Sequence, residues 1–363
     1  MRIGSLAEIR FERRRKSLGR KGILITVSAV LIGILLAGLF FSLIGVSPVF
    51  AYKRILIGSF GSMSGWREIL RKAIPLMMCG AGLAIAFRGL FWNIGAEGQI
   101  IAGAVAATWV ALSLEQAPSW VLLPSMFGLG FLFGAAWCII PALLWAKLKV
   151  NEVITTLMLN YVVISLATFL VDGPWKGSSQ YGYPYTDTFV DSARIPFIQG
   201  TRIPFLTLIL APLFCVGLYL LLTRSRAGYE IKVTGYNPKA ARYAGMSFTK
   251  TLFLIAVISG GLAGIAGVGE VAGVHGKLSY PEDISSGYGF TAIIVAWLAR
   301  LNPLGVVVSS IFVSGLLVGG DAIRTGGVPA ASIDIFMGLI LLMLVSTEIF
   351  RSYEIKIGGG GAS

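Results

Sequence analysis

The stretch that decides the fold reads Phe91-Trp-Asn-Ile-Gly-Ala-Glu-Gly-Gln-Ile100. It places a carboxylate, two carboxamides and two glycines between long apolar segments. Hydrocarbon cannot solvate Glu97, and glycines loosen the helix that would satisfy the backbone there. A chain keeps such polar groups at membrane depth on a solute pathway or in a packed interior. The stretch therefore indicates transport rather than simple anchoring.

The composition is that of a membrane protein. Hydrophobic residues make up 56% of the chain and charged residues 13%, against about 25% charged in soluble domains; the mean hydropathy is +0.81. Charge-free runs cover most of 22–52, 116–146, 153–171 and 203–223, and each approaches the roughly 20 residues that a spanning helix needs. We predict an all-α polytopic protein of about ten transmembrane helices, with the membrane domain at 22–350 and the first run retained rather than cleaved. The seventh span is expected at about 251–274, the eighth at about 287–300, where it is short for a full crossing, and the tenth at about 331–349.

The formal net charge of +13 is best explained by membrane topology. Lys and Arg cluster in the first 21 residues and again in the loop 224–250, and such clusters mark the cytoplasmic side. With about ten spans, the N-terminal segment 1–21 and the tail 351–363 both lie in the cytoplasm. The aromatic-rich loop 173–203 then lies outside. The expected location is the cytoplasmic (inner) membrane, in contact with lipid and not with nucleic acid.

The segment 48–72 does not fit this charge pattern. It carries five positive charges on the nominal outer side: Lys53, Arg54, Arg67, Arg71 and Lys72. Two interpretations stay open. Either the segment lies along the interface, where basic side chains reach the headgroups, or it belongs partly to a span.

Four polar residues are candidates for the substrate path. Asn93, Glu97 and Gln99 form either an internally satisfied polar cluster that holds two helices at a break, or the wall of a water-filled route through a discontinuous helix. Asn160 is a candidate pore-facing amide on the helix that follows Asn151, and Asn151 is the expected N-cap of that helix.

Glycines crowd the predicted seventh span. The pairs Gly260-x-x-x-Gly264 and Gly269-x-x-x-Gly273 let helices approach closely in lipid, where packing drives association. Close packing is the expected role of these glycines. Glu270, near the end of this span, either lines the cavity or reaches the outer interface.

The loop between the sixth and seventh spans contains a helix-start and a helix-stop signal. Asn237-Pro238 is a cap followed by a proline at the first helical position, and Gly245 is a stop. These signals predict a short basic cytoplasmic helix. Because a thin membrane protein offers it little to bury against, the helix is expected to dock on another subunit.

The sequence shows no catalytic or metal site. Cys79, Cys138 and Cys215 lie within apolar runs, where a free cysteine behaves as a small hydrophobe, and His275 is the only histidine. The sequence contains no G-x-x-x-x-G-K-[ST] nucleotide loop. We therefore expect a transport subunit that is not itself an enzyme and carries no cofactor or metal.

Four motifs in order carry a resemblance to a known family. Together they resemble the permease subunit of bacterial nucleoside or simple-sugar ABC importers, across about residues 48–350. The closest subfamily in pattern is the larger of two paired permeases that work with a lipoprotein of the basic-membrane-protein type. The motifs are Asn93-Ile-Gly-Ala-Glu-Gly-Gln99, Val150-Asn-Glu-Val-Ile-Thr-Thr-Leu-Met-Leu-Asn160, Gly235-Tyr-Asn-Pro-Lys-Ala-Ala-Arg-Tyr-Ala-Gly245, and Gly287-Tyr-Gly-Phe-Thr-Ala-Ile-Ile-Val-Ala296 followed by Leu301-Asn302-Pro303.

The resemblance implies the type II importer fold, with the translocation path at the interface of two permeases. It implies that a separate cytoplasmic subunit binds ATP, that the second permease is a paralogue, and that an extracytoplasmic lipoprotein delivers the solute. It also implies that the short helix is a coupling helix seated in the ATPase. Lys239 and Thr234 depart from the residues expected in relatives at those positions. The residues assigned to coupling are Gly235, Asn237, Pro238, Ala240, Ala241, Arg242, Tyr243 and Gly245.

An ion-coupled secondary transporter of a small polar solute is the alternative, because broken helices and a buried Glu97 also suit ion coupling. The near absence of paired buried acids and the dedicated basic helix favour the importer.

Overall fold

The computed structural model describes residues 8–13, 19–178, 182–324 and 353–358, with single positions between 328 and 346. Helices dominate the described chain, as the composition predicts. The helices, labelled α1 to α13 in chain order, are Gly19–Leu43, Pro48–Phe60, Met63–Arg88, Ala96–Ser113, Ser119–Leu148, Glu152–Asp172, Phe205–Arg224, Arg226–Tyr236, Pro238–Tyr243, Phe248–Val268, Pro281–Ser285, Tyr288–Leu298 and Pro303–Arg324.

Two shorter elements and one ribbon complete the description. A 3-10 turn covers Asp191–Ala193, and a π-helical segment, Gly269–His275, continues α10. The strands β1 (Glu8–Arg13) and β2 (Tyr353–Gly358) pair antiparallel, with Glu8 opposite Gly358 and Arg13 opposite Tyr353. This pairing of the two terminal segments was not expected from the sequence.

Seven described helices are long and apolar enough to cross a membrane, or eight if the bent pair α1 and α2 forms one span. They are α3, α4, α5, α6, α7, α13 and the continuous helix Phe248–His275. The predicted eighth span corresponds to α12, which has only 11 residues. The predicted tenth span, at about 331–349, lies outside the residues that are described as continuous structure. The chain is therefore a multi-pass membrane protein, and the number ten stays a prediction.

The chain divides into two units, residues 62–315 and residues 1–61 with 316–363. In the second of these, α1 and α2 meet at a bend of 120°, and the hydroxyl of Tyr52 donates a hydrogen bond to the carbonyl of Ile34. The helix α2 exposes Val49, Leu56 and Ile57. The structure thus separates the ambiguous segment: residues 48–60 form a helix of their own, and residues from Met63 onward belong to the span α3.

In the unit 62–315, α3, α4 and α10 are buried along most of their length, and α5, α6 and α7 expose apolar side chains. Ile154, Tyr161 and Phe169 of α6 are more than half exposed, which is typical of side chains that face lipid. The central helices are buried and the outer helices are apolar. Polar side chains within α4 and α6 are therefore unusual in this unit.

Glycines bring α4, α5 and α10 into backbone contact, which confirms the close-packing prediction for Gly260 and Gly264. A Cβ added at Gly264 would meet the carbonyl oxygen of Gly130, and one added at Gly260 would meet that of Gly134. A Cβ at Gly103 would meet the backbone of Gly264. Because backbone atoms cannot move aside as a flexible side chain can, these positions admit only glycine.

Replacing Gly134 by leucine is expected to lower the stability of the folded protein by about 3 kcal/mol, because overpacking against backbone forces helices apart. The matched control is Gly128→Leu on the same helix, where an added Cβ meets nothing within 4 Å. Thermal unfolding of the detergent-purified variants measures both. Equal unfolding temperatures for the two variants would contradict the close-contact role of Gly134.

Candidate functional site

The polar stretch of the sequence forms a break between two helices. The helix α3 ends at Arg88, α4 begins at Ala96, and the residues between them are not helical. Leu90 adopts a left-handed backbone with φ of 62°, which is uncommon for a bulky residue. The polar interruption that the sequence predicts is therefore present, but it connects two helices that are each long enough to span a membrane, so a discontinuous single helix stays a prediction.

The side chains of Asn93 and Gln99 form a reciprocal amide pair inside the break. Asn93 Nδ2 donates to Gln99 Oε1 at 2.9 Å, and Gln99 Nε2 donates to Asn93 Oδ1 at 2.9 Å. Asn93 Nδ2 also donates to Ser259 Oγ of α10 at 3.0 Å, and its Oδ1 accepts from the backbone N–H of Gly95 at 3.0 Å. Asn93 is fully buried, so these bonds replace water at every polar atom of its side chain.

Asn160 joins α6 to the same break. Its Nδ2 donates to the carbonyl of Ile94 at 3.1 Å, and its Oδ1 accepts from the N–H of Gly98 at 2.9 Å. Thr156, one turn earlier on α6, accepts from the N–H of Ile94 at 3.2 Å. Two side chains of α6 thereby satisfy backbone groups that the interrupted helix leaves free. Asn151 caps α6 as predicted, because its Oδ1 accepts from the N–H groups of Val153 and Ile154.

Glu97 connects the break to α12, 190 residues further along the chain. Its Oε1 accepts from the N–H of Gly287 at 3.0 Å, and its Oε2 accepts from the N–H of Gly289 at 2.7 Å. The side chain is 4% exposed. A carboxylate at a helix N-terminus is stabilised both by the free N–H groups and by the helix dipole. Glu97 is thus the cap of α12.

The short helix α12 begins inside the protein. Its 11 residues extend about 16 Å, half of the roughly 30 Å of a bilayer core. Gly287 has a φ of 72°, and a Cβ at Gly289 would meet the backbone of Glu97. The two glycines therefore allow the chain to turn into α12 while its first N–H groups approach the carboxylate.

The structure brings all four predicted polar residues into one cluster: Asn93, Glu97, Gln99 and Asn160 are buried and hydrogen-bonded to protein groups. In this conformation they join α4, α6, α10 and α12. Sequence reasoning missed Ser259, Gly287 and Gly289 as partners. Two sequence signals were available for them. Ser259 lies within an apolar, glycine-rich helix, and Gly287-x-Gly289 precedes a short apolar run.

Replacing Asn93 by alanine is expected to cost about 3 kcal/mol of stability, because it removes two hydrogen bonds of the buried Gln99 carboxamide and the acceptor of the buried N–H of Gly95. Asn302→Ala is the matched control: Asn302 Oδ1 accepts one bond, from the N–H of Leu304 at 3.1 Å, at an exposed helix start, and its loss costs about 1 kcal/mol. Thermal unfolding of purified protein measures both. A smaller loss of stability for Asn93→Ala than for Asn302→Ala would contradict the role of Asn93 in the cluster.

The second candidate feature is α9, the short helix predicted between two spans. Asn237 Oδ1 accepts from the N–H groups of Lys239 and Ala240 at 3.0 and 3.1 Å. Gly245 ends the helix with a φ of 74°. The N–H of Gly245 bonds the carbonyl of Arg242, and the N–H of Met246 bonds that of Ala241, which is a Schellman ending. Both the helix-start and helix-stop signals are confirmed.

The surroundings of α9 separate its residues into two groups. Tyr236 is 88% exposed and Tyr243 is 95% exposed, whereas Ala241 is 3% exposed. Pro238, Lys239, Ala240, Arg242 and Gly245 are also exposed. Ala241 therefore faces the body of its own chain. The preceding helix, α8, was not predicted; a Cβ at its Gly235 would meet the carbonyl of Arg88 at the end of α3.

Within the described part of the chain, no group of three or more His, Cys, Asp or Glu side chains could hold a metal ion. The three cysteines are buried and form no disulfide.

Comparisons with known proteins agree on one family. Residues 66–345 match the family model for the branched-chain amino acid transport system / permease component. The chain is 35% identical to the glucose ABC transporter permease TsgB13 of Haloferax volcanii, over 91% of this chain and 89% of that protein. It is 29% identical to the guanosine permease NupP of Bacillus subtilis, over 94% and 98%, and 29% identical to the nucleoside permease NupB of Lactococcus lactis, over 89% and 90%.

The family match covers most of the chain, and these relatives align with it over nearly their full length. The described chain has seven helices apolar enough to span a membrane, and the capped helix α9 lies between two of them, α7 and α10. This is the organisation of a membrane transport subunit. The chain belongs to the permease component family named above and is a multi-pass membrane permease of an ABC importer.

Proposed function

We propose that the chain forms the translocation path for a nucleoside or a simple sugar, that an external binding protein delivers the solute, and that a separate ATPase drives transport. The named solutes of the relatives, glucose, guanosine and nucleosides, support this substrate class. The observation that carries the proposal is α9, a helix of six residues with a cap at each end and two almost fully exposed tyrosines.

The route for the solute is proposed to run along the break, with Asn93, Glu97, Gln99 and Asn160 in its wall. Support comes from their burial: polar side chains inside a membrane domain are costly and are retained where they serve transport. Their hydrogen bonds fix α4 against α6 and α12 in this conformation. A state with an open route would exchange some of these bonds for water or for solute hydroxyls.

Coupling to the ATPase is proposed to act through α9. The ends of α9 are determined by Asn237, Pro238 and Gly245. Gly235, just before α9, packs against the end of α3. The side chains available to contact the ATPase are those of Ala240, Arg242 and Tyr243. Tyr236 is also exposed, although the sequence did not suggest a coupling role for it. Ala241 keeps a place in the coupling segment as the residue that packs α9 on its own chain.

The remaining partners follow from the same proposal. The second permease is a paralogue, the binding protein is a lipoprotein, and both termini lie in the cytoplasm with the basic loop 224–250. ATP binds to the partner subunit, because this sequence has no phosphate-binding loop. The permease itself therefore performs transport without hydrolysis and without a bound cofactor.

Reconstitution tests this function directly. The permease is placed in proteoliposomes with its ATPase, its second permease and its binding protein, and uptake of labelled guanosine and glucose is measured with and without ATP. Uptake of one of these solutes that requires ATP and all partners is expected. ATP-independent uptake by the isolated chain would overturn the proposal.

A further inference from the structure

Three arginines lie together where two membrane-spanning helices begin. Arg67 and Arg71 lie near the start of α3, and Arg202 lies just before α7. The other ends of both helices reach the region of α9: α3 ends where Gly235 packs against it, and α7 ends at the basic loop 224–250. In the proposed orientation the three arginines are therefore on the outer side, whereas membrane proteins concentrate Lys and Arg on the cytoplasmic side. Positive charges at this place need a local explanation.

The three arginines line one cavity of about 390 Å³. Among its described lining residues Glu68 is the one carboxylate, and Arg71 binds it through Nε, which lies 3.0 Å from both carboxylate oxygens. Arg67 donates from Nη1 to the carbonyl of Gly200 at 3.1 Å. In the part of the chain that the structure describes, neither Arg67 nor Arg202 forms an ion pair. The cavity thus has three positive groups and one negative group, and the negative group is already bound.

Apolar side chains beside this cavity are exposed. Met63 and Trp66, which neighbour the cavity residues of α3, and Phe205, the first residue of α7, all have large exposed surfaces. Tryptophan is enriched at the headgroup level of a bilayer, and α3 and α7 are both long and apolar enough to span one. A cavity at the common start of two spans therefore lies near the level of the lipid phosphates, next to apolar surface that acyl chains can cover.

We propose that the cavity binds the phosphate group of an anionic phospholipid at the outer surface of the membrane. The planar guanidinium presents N–H donors in a fork that matches two oxygens of a phosphate, and Arg67 and Arg202 have donors that no carboxylate occupies. The volume of the cavity lies at the lower end of the roughly 300–1,000 Å³ of small-molecule sites, which suits a headgroup whose acyl chains remain in the membrane. The inference does not depend on which solute the permease carries.

A carboxylate of the external binding protein is the competing occupant, because it too is attracted by arginines without an acidic partner. The exposed Met63, Trp66 and Phe205 favour the lipid, because acyl chains cover such side chains and a partner that docks from the aqueous phase does not reach those within the membrane. Lipid binding is therefore measured first without any partner protein.

The test uses the purified full-length permease in a non-ionic detergent. Native mass spectrometry gives the dissociation constant for the first bound molecule of dioleoylphosphatidylglycerol, and thermal unfolding gives the stabilisation by the same lipid. Dioleoylphosphatidylcholine has the phosphate without the net charge, and inorganic phosphate has the charge without the acyl chains. The variants are Arg67→Gln and Arg202→Gln, both at exposed positions, and the matched control is Lys176→Gln, which removes one positive charge from an exposed position of the same outer loop outside the cavity lining.

The wild type and Lys176→Gln are expected to bind phosphatidylglycerol about tenfold more tightly than phosphatidylcholine. Arg67→Gln and Arg202→Gln are each expected to weaken binding of phosphatidylglycerol about tenfold, while their unfolding temperatures without added lipid stay near that of the wild type. Unchanged lipid affinity in both arginine variants overturns the inference. Stabilisation by inorganic phosphate as large as that by phosphatidylglycerol also overturns it, because the cavity then takes a soluble anion. If Arg202→Gln weakens docking of the binding protein and leaves lipid affinity unchanged, the cavity belongs to that partner and the inference is wrong.

Discussion

Replacing Glu97 by glutamine is expected to destabilise the folded permease by about 3 kcal/mol, because a carboxamide cannot accept from both Gly287 and Gly289 as the buried carboxylate does. The carboxylate accepts from Gly287 on one oxygen and from Gly289 on the other. A carboxamide has a single oxygen, so its NH₂ group must face one of these N–H groups. The change also removes the negative charge that the N-terminus of α12 favours.

Fluorescence-detected thermal unfolding of the purified protein measures this effect, and uptake by the reconstituted complex measures its consequence for transport. The matched control is Glu115→Gln, which changes a solvent-exposed carboxylate after the end of α4 and is expected to shift stability by less than about 0.5 kcal/mol. If the unfolding temperature of Glu97→Gln equals that of Glu115→Gln, Glu97 is not the cap of α12.

A second change tests the same contact from the opposite side. An added Cβ at Gly289 would meet backbone atoms of Glu97 and Ala96, which cannot yield as a side-chain tip does. Gly289→Ala therefore pushes α12 away from α4 and lengthens the bonds to the carboxylate. Combined with Glu97→Gln it is expected to cost less than the sum of the two single changes, because both remove one interaction.

Much of the fold was predictable because its signals are local. Charge-free runs of about 20 residues predicted the spans α5, α6 and α7, and the terminal signals at Asn151, Asn237 and Gly245 predicted the correct helix ends. Each of these depends only on neighbours within a few residues along the chain. The interruption of the helices at residues 89–95 was also predictable, since the glycines and polar groups at 93–99 lie between two apolar segments.

The partners across the fold were not predictable, because nothing in a single sequence specifies them. Asn93 meets Ser259 across 166 positions, and Glu97 meets Gly289 across 192. The same limit explains why Ala241 was assigned to coupling without being distinguished from its exposed neighbours. In a helix of six residues, periodicity is too short to separate the exposed face from the packed one, and only the contact of α9 with its own chain decides it.

The largest effect on transport is expected from Tyr243→Ala. Tyr243 is 95% exposed on a helix whose two ends are fixed, and a large apolar side chain held in water in this way suits an interface anchor. An aromatic residue buries roughly 150–250 Å² when it docks, and its loss from the centre of an interface costs about 2 kcal/mol or more. That cost corresponds to about a 30-fold weaker affinity of the permease for the ATPase.

The matched control is Tyr161→Ala, which removes a tyrosine that is 62% exposed on the outer face of α6, away from α9. Both variants should keep the unfolding temperature of the wild type, because neither side chain is buried. Co-purification with the ATPase and ATP-dependent uptake separate them: Tyr243→Ala should lose both about tenfold or more, and Tyr161→Ala neither. Since each change removes the same aromatic ring, a difference between the variants can come only from where the ring stands. Equal uptake by the two would therefore show that α9 does not carry the motion of the ATPase into the membrane domain.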